Sequence, residues 1–206
     1  AAASGDPASG GADDGRLDRQ LGLVAAAVAA GEDSRNGDAE RPRGLPPEKL
    51  REAMSPIPGA VTVVTTTHDR GPHATTVSAF SSLSSDPPLV MIALDRSSDL
   101  LGKLEPGGRF AVNLLSAGQE EVGRACALKG PDKLATVPWH EADGLPRIDG
   151  AAGWLTCDVH ALFPGGDHVI VVGLVTGCES ADETSALVYH RRRFLDFVPS
   201  ELLKRF

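Results

Sequence analysis

The run Thr75 to Val90, TTVSAFSSLSSDPPLV, sets seven hydroxyl side chains in a segment that otherwise alternates like a strand, and ends at a double proline. Ser is a poor strand former, and Ser, Thr and Asp offer the backbone local hydrogen bonds that compete with a sheet ladder. Such a row is either a solvated edge strand or a set of donors laid along an anionic ligand. Lys129 and Lys133 flank Gly130-Pro131-Asp132 after a helical segment. An ammonium there either serves a phosphate as a point charge or sits at a helix end favoured by the dipole. His168 follows Gly165-Gly166-Asp167 at the mouth of an apolar strand. A side chain at a strand end beside a glycine turn can lean over a bound ring; otherwise its imidazole bonds Asp167 or a nearby carbonyl. Arg191, Arg192 and Arg193 beside Tyr189 and His190 read as ligand contacts or as a solvated basic end.

Other chemistries are excluded or unsupported. A net charge of −8 opposes nucleic-acid binding, which needs a basic stripe to displace counterions from phosphates. Cys126, Cys157 and Cys178 are odd in number and form no Cys-x-x-Cys pair, so neither a disulfide framework nor a zinc site is indicated, and a reducing cytoplasm fits. No His pair has metal-ligand spacing with a carboxylate, so no metal is expected. His68, His73 and His140 read as structural or solvated, and His160 as a polar residue on a sheet face. Rossmann, Walker, nucleophile-elbow and His-Glu-x-x-His motifs do not occur. No apolar run reaches the roughly 18 residues a membrane helix needs. The segment Leu21 to Ala30 reads as a short Ala-rich helix rather than a signal peptide, because an acidic Gly/Ala/Asp-rich leader precedes it.

The elements that must position these residues begin near Leu45. Residues 1–45 have almost no large apolar side chains and are expected to form a mostly disordered extension with a short helix near 16–30. Residues 46–206 form the domain. Leu45 to Met54 has Pro at a first helical turn and an early Glu, and Pro56 and Pro58 stop the helix. Strands are expected at 59–67, 74–84, 89–94, 109–115, 154–162, 168–176 and 186–189. The run Leu89 to Leu94 is continuous enough to be buried on both faces, and Asp69-Arg70-Gly71-Pro72 supplies a hairpin turn. Short helices fit at Ser98 to Leu104 and Gly118 to Leu128. This spacing suggests a closed or nearly closed barrel, mainly β with peripheral helices.

Taken in order, VTVVTT at 61–66, TVSAFSSLS at 76–84, DPPLV at 86–90, LDRSS at 94–98, FAVNLL at 110–115, Lys129 with Asp132-Lys133, GDH at 166–168 and LVYHR at 187–191 resemble the short-chain flavin reductase family over about 145 positions. The likeness is greatest to reductases of actinobacterial antibiotic pathways. The resemblance implies a homodimeric, FMN-binding split β-barrel of Greek-key type. It implies an NAD(P)H:flavin oxidoreductase that reduces FAD or FMN, with NADH or NADPH as donor, and feeds reduced flavin to a separate monooxygenase or halogenase in natural-product biosynthesis. Alternatives are a split-barrel enzyme that holds flavin tightly and acts on another acceptor, and a flavin-binding protein without turnover. By the family pattern Thr76, Ser78, Ala79, Ser82 and Ser84 lie near the ring and ribityl chain, and Arg96, Ser97 and Ser98 lie beside the phosphates. Lys129, Lys133, Asp167, His168, Tyr189, His190 and Arg191 complete the expected cofactor-binding set, with His168 as the residue acting on the nicotinamide. Fixed donors aimed at the flavin edge stabilise the negative charge that reduction places there. The chain departs from the family at Cys126 and Leu134, where Phe is common, and at Ala74, where Gly is frequent.

Overall fold

A computed structural model describes residues 44–197 apart from positions 70, 105, 131, 132, 182 and 183. The expected extension, including its helix near 16–30, lies outside the described residues save for Gly44 and Leu45, both exposed. Helix α1 spans Pro47–Met54, with Pro at its first turn, Glu48 near its positive end and no buried residue. Strands β1 (Gly59–Ala60), β2 (Thr62–His68), β3 (Gly71–Val77), β4 (Phe80–Ser85) and β5 (Pro88–Asp95) follow. Then come β6 (Arg109–Leu114), α2 (Glu120–Ala127), β7 (Trp139–Ala142), β8 (Leu145–Ile148), β9 (Gly153–Gly165), β10 (His168–Ser180), β11 (Ala186–His190) and β12 (Arg193–Phe197).

Seven strands form an antiparallel sheet in the order β3-β2-β6-β9-β10-β5-β4. Its two outer strands are consecutive in the chain, joined by Ser78 and Ala79, and the Ala93 N–H of β5 donates to the Ala79 carbonyl at 3.0 Å, which carries the β4–β5 ladder up to that link; side chains of both outer strands, Val77 and Phe80, pack on one core. The sheet therefore curls into a nearly closed barrel, as the spacing of strands predicts. Inside it Val64, Ile92, Phe110, Val112, Cys157 and Val171 form the main core. Strand β2 is buried on both faces, because Val63, with Val61 just ahead of the strand, packs outward against Leu115, Leu134, Leu187 and Cys126 of α2. Gly173 makes room for Phe110: a Cβ there would lie 2.5 Å from the ring.

Several details differ from expectation. The single strand expected at 74–84 is two, broken at Ser78-Ala79, where the chain passes from one edge of the sheet to the other. Strand β5 alternates between buried Val90, Ile92, Leu94 and half-buried Leu89, Met91, Ala93, because its second face looks outward from the barrel. The helix expected at 98–104 reduces to a 3-10 turn at Leu101–Lys103. Three short strands were not anticipated. Hairpin β7–β8 is tied to the barrel by Asn113, whose Nδ2 donates to Val63 O at 3.1 Å and whose Oδ1 accepts from Ile148 N at 2.8 Å. Strand β12 pairs with β11, so Arg191 and Arg192 form a hairpin turn rather than a basic terminus.

Candidate functional site

The seam between β3 and β4 opens onto a cleft of about 550 Å³. One wall is Thr75 to Ala79, a second is Ala93 to Asp95 with Ser97 to Asp99, and the C-terminal end of α2 brings Ala127 to Lys129 with Lys133; His168 completes the lining. Eight expected residues meet here: Thr76, Ser78, Ala79, Ser97, Ser98, Lys129, Lys133 and His168. Thr75, Asp95 and Asp99 were not anticipated, although Asp95 stands two residues before Ser97, a pattern that signals a side-chain turn.

Local bonding fixes what each group can offer. The Thr76 hydroxyl donates to Gly123 O of α2 at 2.6 Å, so its proton is spent on holding the helix and its oxygen remains as an acceptor. Lys133 Nζ donates to Thr75 Oγ1 at 3.2 Å. The Lys133 pKa is lowered from its ordinary value of 10.5, first by burial, with Lys103 adding to the effect and Cys126 and Asp99 opposing it. Asp95 Oδ1 accepts from Ser97 N at 2.7 Å and Ser97 Oγ at 2.6 Å, and these bonds hold its carboxyl below the usual range of 3.8, with the charges of His168 and Lys129 assisting. His168 is half-buried, stands opposite Asp95 in the β5–β10 ladder, and shares a 2.7 Å hydrogen bond between Nδ1 and Asp167 Oδ1. That bond orients the ring and leaves Nε2 for another partner.

The remaining expected residues lie outside this lining. Arg96 clamps the β9–β10 turn: its N–H donates to Asp167 O at 3.0 Å and its Nε to Gly166 O at 2.8 Å. Asp167 touches the cleft only indirectly, through its hydrogen bond to the His168 imidazole. Ser82 is exposed and Ser84 half-buried on β4, the terminal strand, where a bulge between them displaces Leu83. The hydroxyl row thus divides: Thr75, Thr76 and Ser78 face the cleft, and the serines of β4 form a polar edge. Tyr189 and Arg191 line a neighbouring cleft that shares Ser78 and Ala79 with the first, and His190 lines neither.

Buried His73 sits on β3 beside this region with Nε2 lacking a protein partner. Its pKa is lowered from 6.5, first by burial and then by Lys103 and Lys133, with Asp99 opposing. Among the described residues no group of three or more His, Cys, Asp or Glu is placed to hold a metal, and no helix is long and apolar enough to cross a membrane.

A family model described as "Flavin reductase like domain" matches residues 54–197. The chain is 37% identical over 137 residues to a probable flavin reductase of Rhizobium meliloti (strain 1021), covering 66% of this chain and 44% of that protein's length. It is 40% identical over 147 residues to the reductase component of 4-hydroxyphenylacetate 3-monooxygenase of Thermus thermophilus, covering 71% of this chain and 94% of that one. Its structure aligns with an NADH:FAD oxidoreductase of Streptomyces globisporus C-1027, solved in complex with NAD and FAD fragments, at a TM-score of 0.71 and 33% identity, covering 76% of this chain and 98% of the other.

Proposed function

The chain belongs to the flavin reductase like family, and from that premise we propose that it is an NAD(P)H:flavin oxidoreductase whose reduced flavin serves a separate monooxygenase or halogenase. The observation that carries this reading is the meeting of hydroxyls, two ammonium groups and an oriented imidazole in one cleft. That donor set fits a flavin: the volume lies within the roughly 300 to 1,000 Å³ of ordinary small-molecule sites, and the seam residues Ser78 and Ala79 carry small side chains that let a flat ring approach the backbone. When bound, the flavin supplies the hydride acceptor; the protein supplies binding, orientation and electrostatics.

Each residue then has a defined task. Lys133 and Lys129 hold an anionic phosphate, with Thr75 steering the Lys133 ammonium. Ser78, the backbone at Ala79 and Ser98 orient the ring and ribityl chain. Asp95 withholds the Ser97 hydroxyl from the ligand and fixes the turn that presents Ser98. His168, held by Asp167 and backed by the Arg96 clamp, orients the nicotinamide over the ring, which matters because hydride transfer demands reacting atoms within about 3 to 3.5 Å. A twofold dimer is part of the proposal, since the terminal strand β4 and half-exposed Leu83 leave a surface for a second copy.

Anaerobic mixing with NADH tests the function. Rapid bleaching of added flavin supports the reductase, and no bleaching supports a binding protein. Bleached flavin that stays with the protein through gel filtration supports an enzyme that holds its flavin and acts on another acceptor.

A further inference from the structure

His73 is only 5% exposed, yet its Nε2 has no hydrogen-bond partner. A buried polar nitrogen left unpaired loses its hydration with nothing in exchange, so its presence calls for a role. The imidazole stands opposite Thr66 in the β2–β3 ladder, and the Thr66 hydroxyl is committed to Arg109 O at 2.7 Å. Two residues further along β3, on the same face, Thr75 lines the cleft and its Oγ1 receives the Lys133 ammonium at 3.2 Å. At about 3.3 Å of rise per residue the two strand positions are roughly 7 Å apart, which puts His73 one step behind the cleft wall.

The charge around this imidazole is unbalanced. The charged groups that act on it are Lys103 from the 3-10 turn, Lys133 from the loop after α2, and Asp99 just ahead of that turn. Both lysines are half-buried, Lys103 Nζ is anchored on Asp99 O at 2.9 Å, and the Asp99 side chain is exposed. A third cation at His73 is therefore disfavoured in the free protein, first by burial and then by the two ammonium groups. An anion seated at Lys133 reverses that balance, because it offsets the ammonium charge and attracts an imidazolium behind it.

We propose that His73 is a proton-linked anion sensor behind the cleft: a phosphate held at Lys133 is bound together with a proton taken up by the His73 imidazole. The inference rests on the flavin reductase reading for the phosphate being that of a nucleotide cofactor. His73 itself touches no ligand and acts through charge alone. The sign follows from linkage. A bound anion raises the proton affinity of the imidazole, so anion affinity rises as pH falls through the interval between the midpoints of the bound and free protein, and levels off on either side. The ligand is gripped more firmly in acid and let go more readily as pH rises.

Calorimetric titration of the full chain with FMN tests this, with riboflavin as the probe that lacks the phosphate, at about pH 6 in buffers of different ionisation enthalpy. The second ionisation of a phosphate monoester also falls near 6, but it contributes equally to parent and His73→Gln, so their difference isolates the imidazole. The parent is expected to take up at least about 0.3 proton more than the variant for each FMN bound, with no such difference for riboflavin. Between pH 7.5 and 6 its FMN-over-riboflavin preference should rise about threefold more than that of the variant. Imidazole resonances of the labelled parent give a second reading that does not depend on how the variant folds: the His73 titration should move to higher pH with FMN and stay in place with riboflavin. Equal proton uptake in parent and variant, or an imidazole titration that FMN shifts no more than riboflavin does, overturns the proposal. FMN that binds without being bleached by NADH removes the reductase reading and leaves the proton linkage to these titrations; FMN that does not bind removes the anion site and the proposal with it.

Discussion

Removing the Lys133 ammonium separates a phosphate site from a helix end. Nζ is 3.2 Å from Thr75 Oγ1 and half-buried in the cleft wall, so its charge is incompletely screened by water. A hydrogen bond to a charged group contributes about 1.5 to 3 kcal/mol. Lys133→Ala is therefore expected to raise the FMN dissociation constant roughly 10- to 150-fold. Riboflavin, which has no phosphate, should respond far less. Fluorescence-quenching titrations with FMN and riboflavin measure both constants. The pH dependence carries a sign as well. Burial makes the Lys133 proton easier to lose than the ordinary 10.5, so the FMN-over-riboflavin preference should start to fall with rising pH below that value, and in the variant this fall should vanish. Equal rises for FMN and riboflavin would refute the reasoning and return Lys133 to a structural role.

His168→Ala should raise the NADH KM or slow flavin reduction at least about tenfold, near 1.4 kcal/mol, with flavin affinity little altered; stopped-flow kinetics that match the parent would leave the imidazole structural. Gly173→Ala is expected to destabilise the fold by about 1 to 3 kcal/mol or more, because its Cβ would meet Phe110 at 2.5 Å and Cys157 at 2.9 Å, and an unshifted denaturation midpoint would contradict it. For His73, burial disfavours the cation, so the unfolded chain binds the extra proton below pH 6.5 and stability falls as pH drops through that range, by at most about 1.4 kcal/mol per unit. Denaturant melts at pH 7.5 and 5.5 should show the loss, and His73→Gln should lessen it; a slope untouched by the substitution would discard this account. Thiol titration of the folded protein should find only Cys178 reactive, since burial pushes Cys126 up to about 11 and Cys157 up to about 12; fast labelling of a second thiol would show a looser core.

The barrel was legible because Val/Thr-rich β2 and the long apolar strands β9 and β10 carry their pattern in residue type alone. Strands β7 and β8 are four residues each and hold Glu141, His140 and Arg147, so periodicity could not reveal them, although Asp143-Gly144 is a strong hairpin signal. Nothing in Arg191-Arg192 announces a turn, since arginine has no preference for positive φ. In the site, spacing located the hydroxyl row but not its division between cleft and edge. That division depends on the break at Ser78-Ala79, which is a property of barrel closure and not of local sequence. Arg96 shows the same limit: the family pattern places it beside the phosphates, and only the tertiary structure reveals that its backbone N–H and Nε also hold the carbonyls of Asp167 and Gly166.

Ser78 and Ala79 belong to both clefts, so ligands on the two sides of that seam would touch a single stretch of backbone. Coupling of this kind is reciprocal: if filling the first cleft sharpens affinity in the second by some factor, filling the second must sharpen the first by the same factor. A substitution that enlarges Ala79 would then act on two ligands at once, and whatever change it makes in the coupling factor must be the same whether read by titrating one ligand or the other. Two ligands coupled through so thin a wall would behave as one thermodynamic unit, in which order of arrival is free and only the total is fixed.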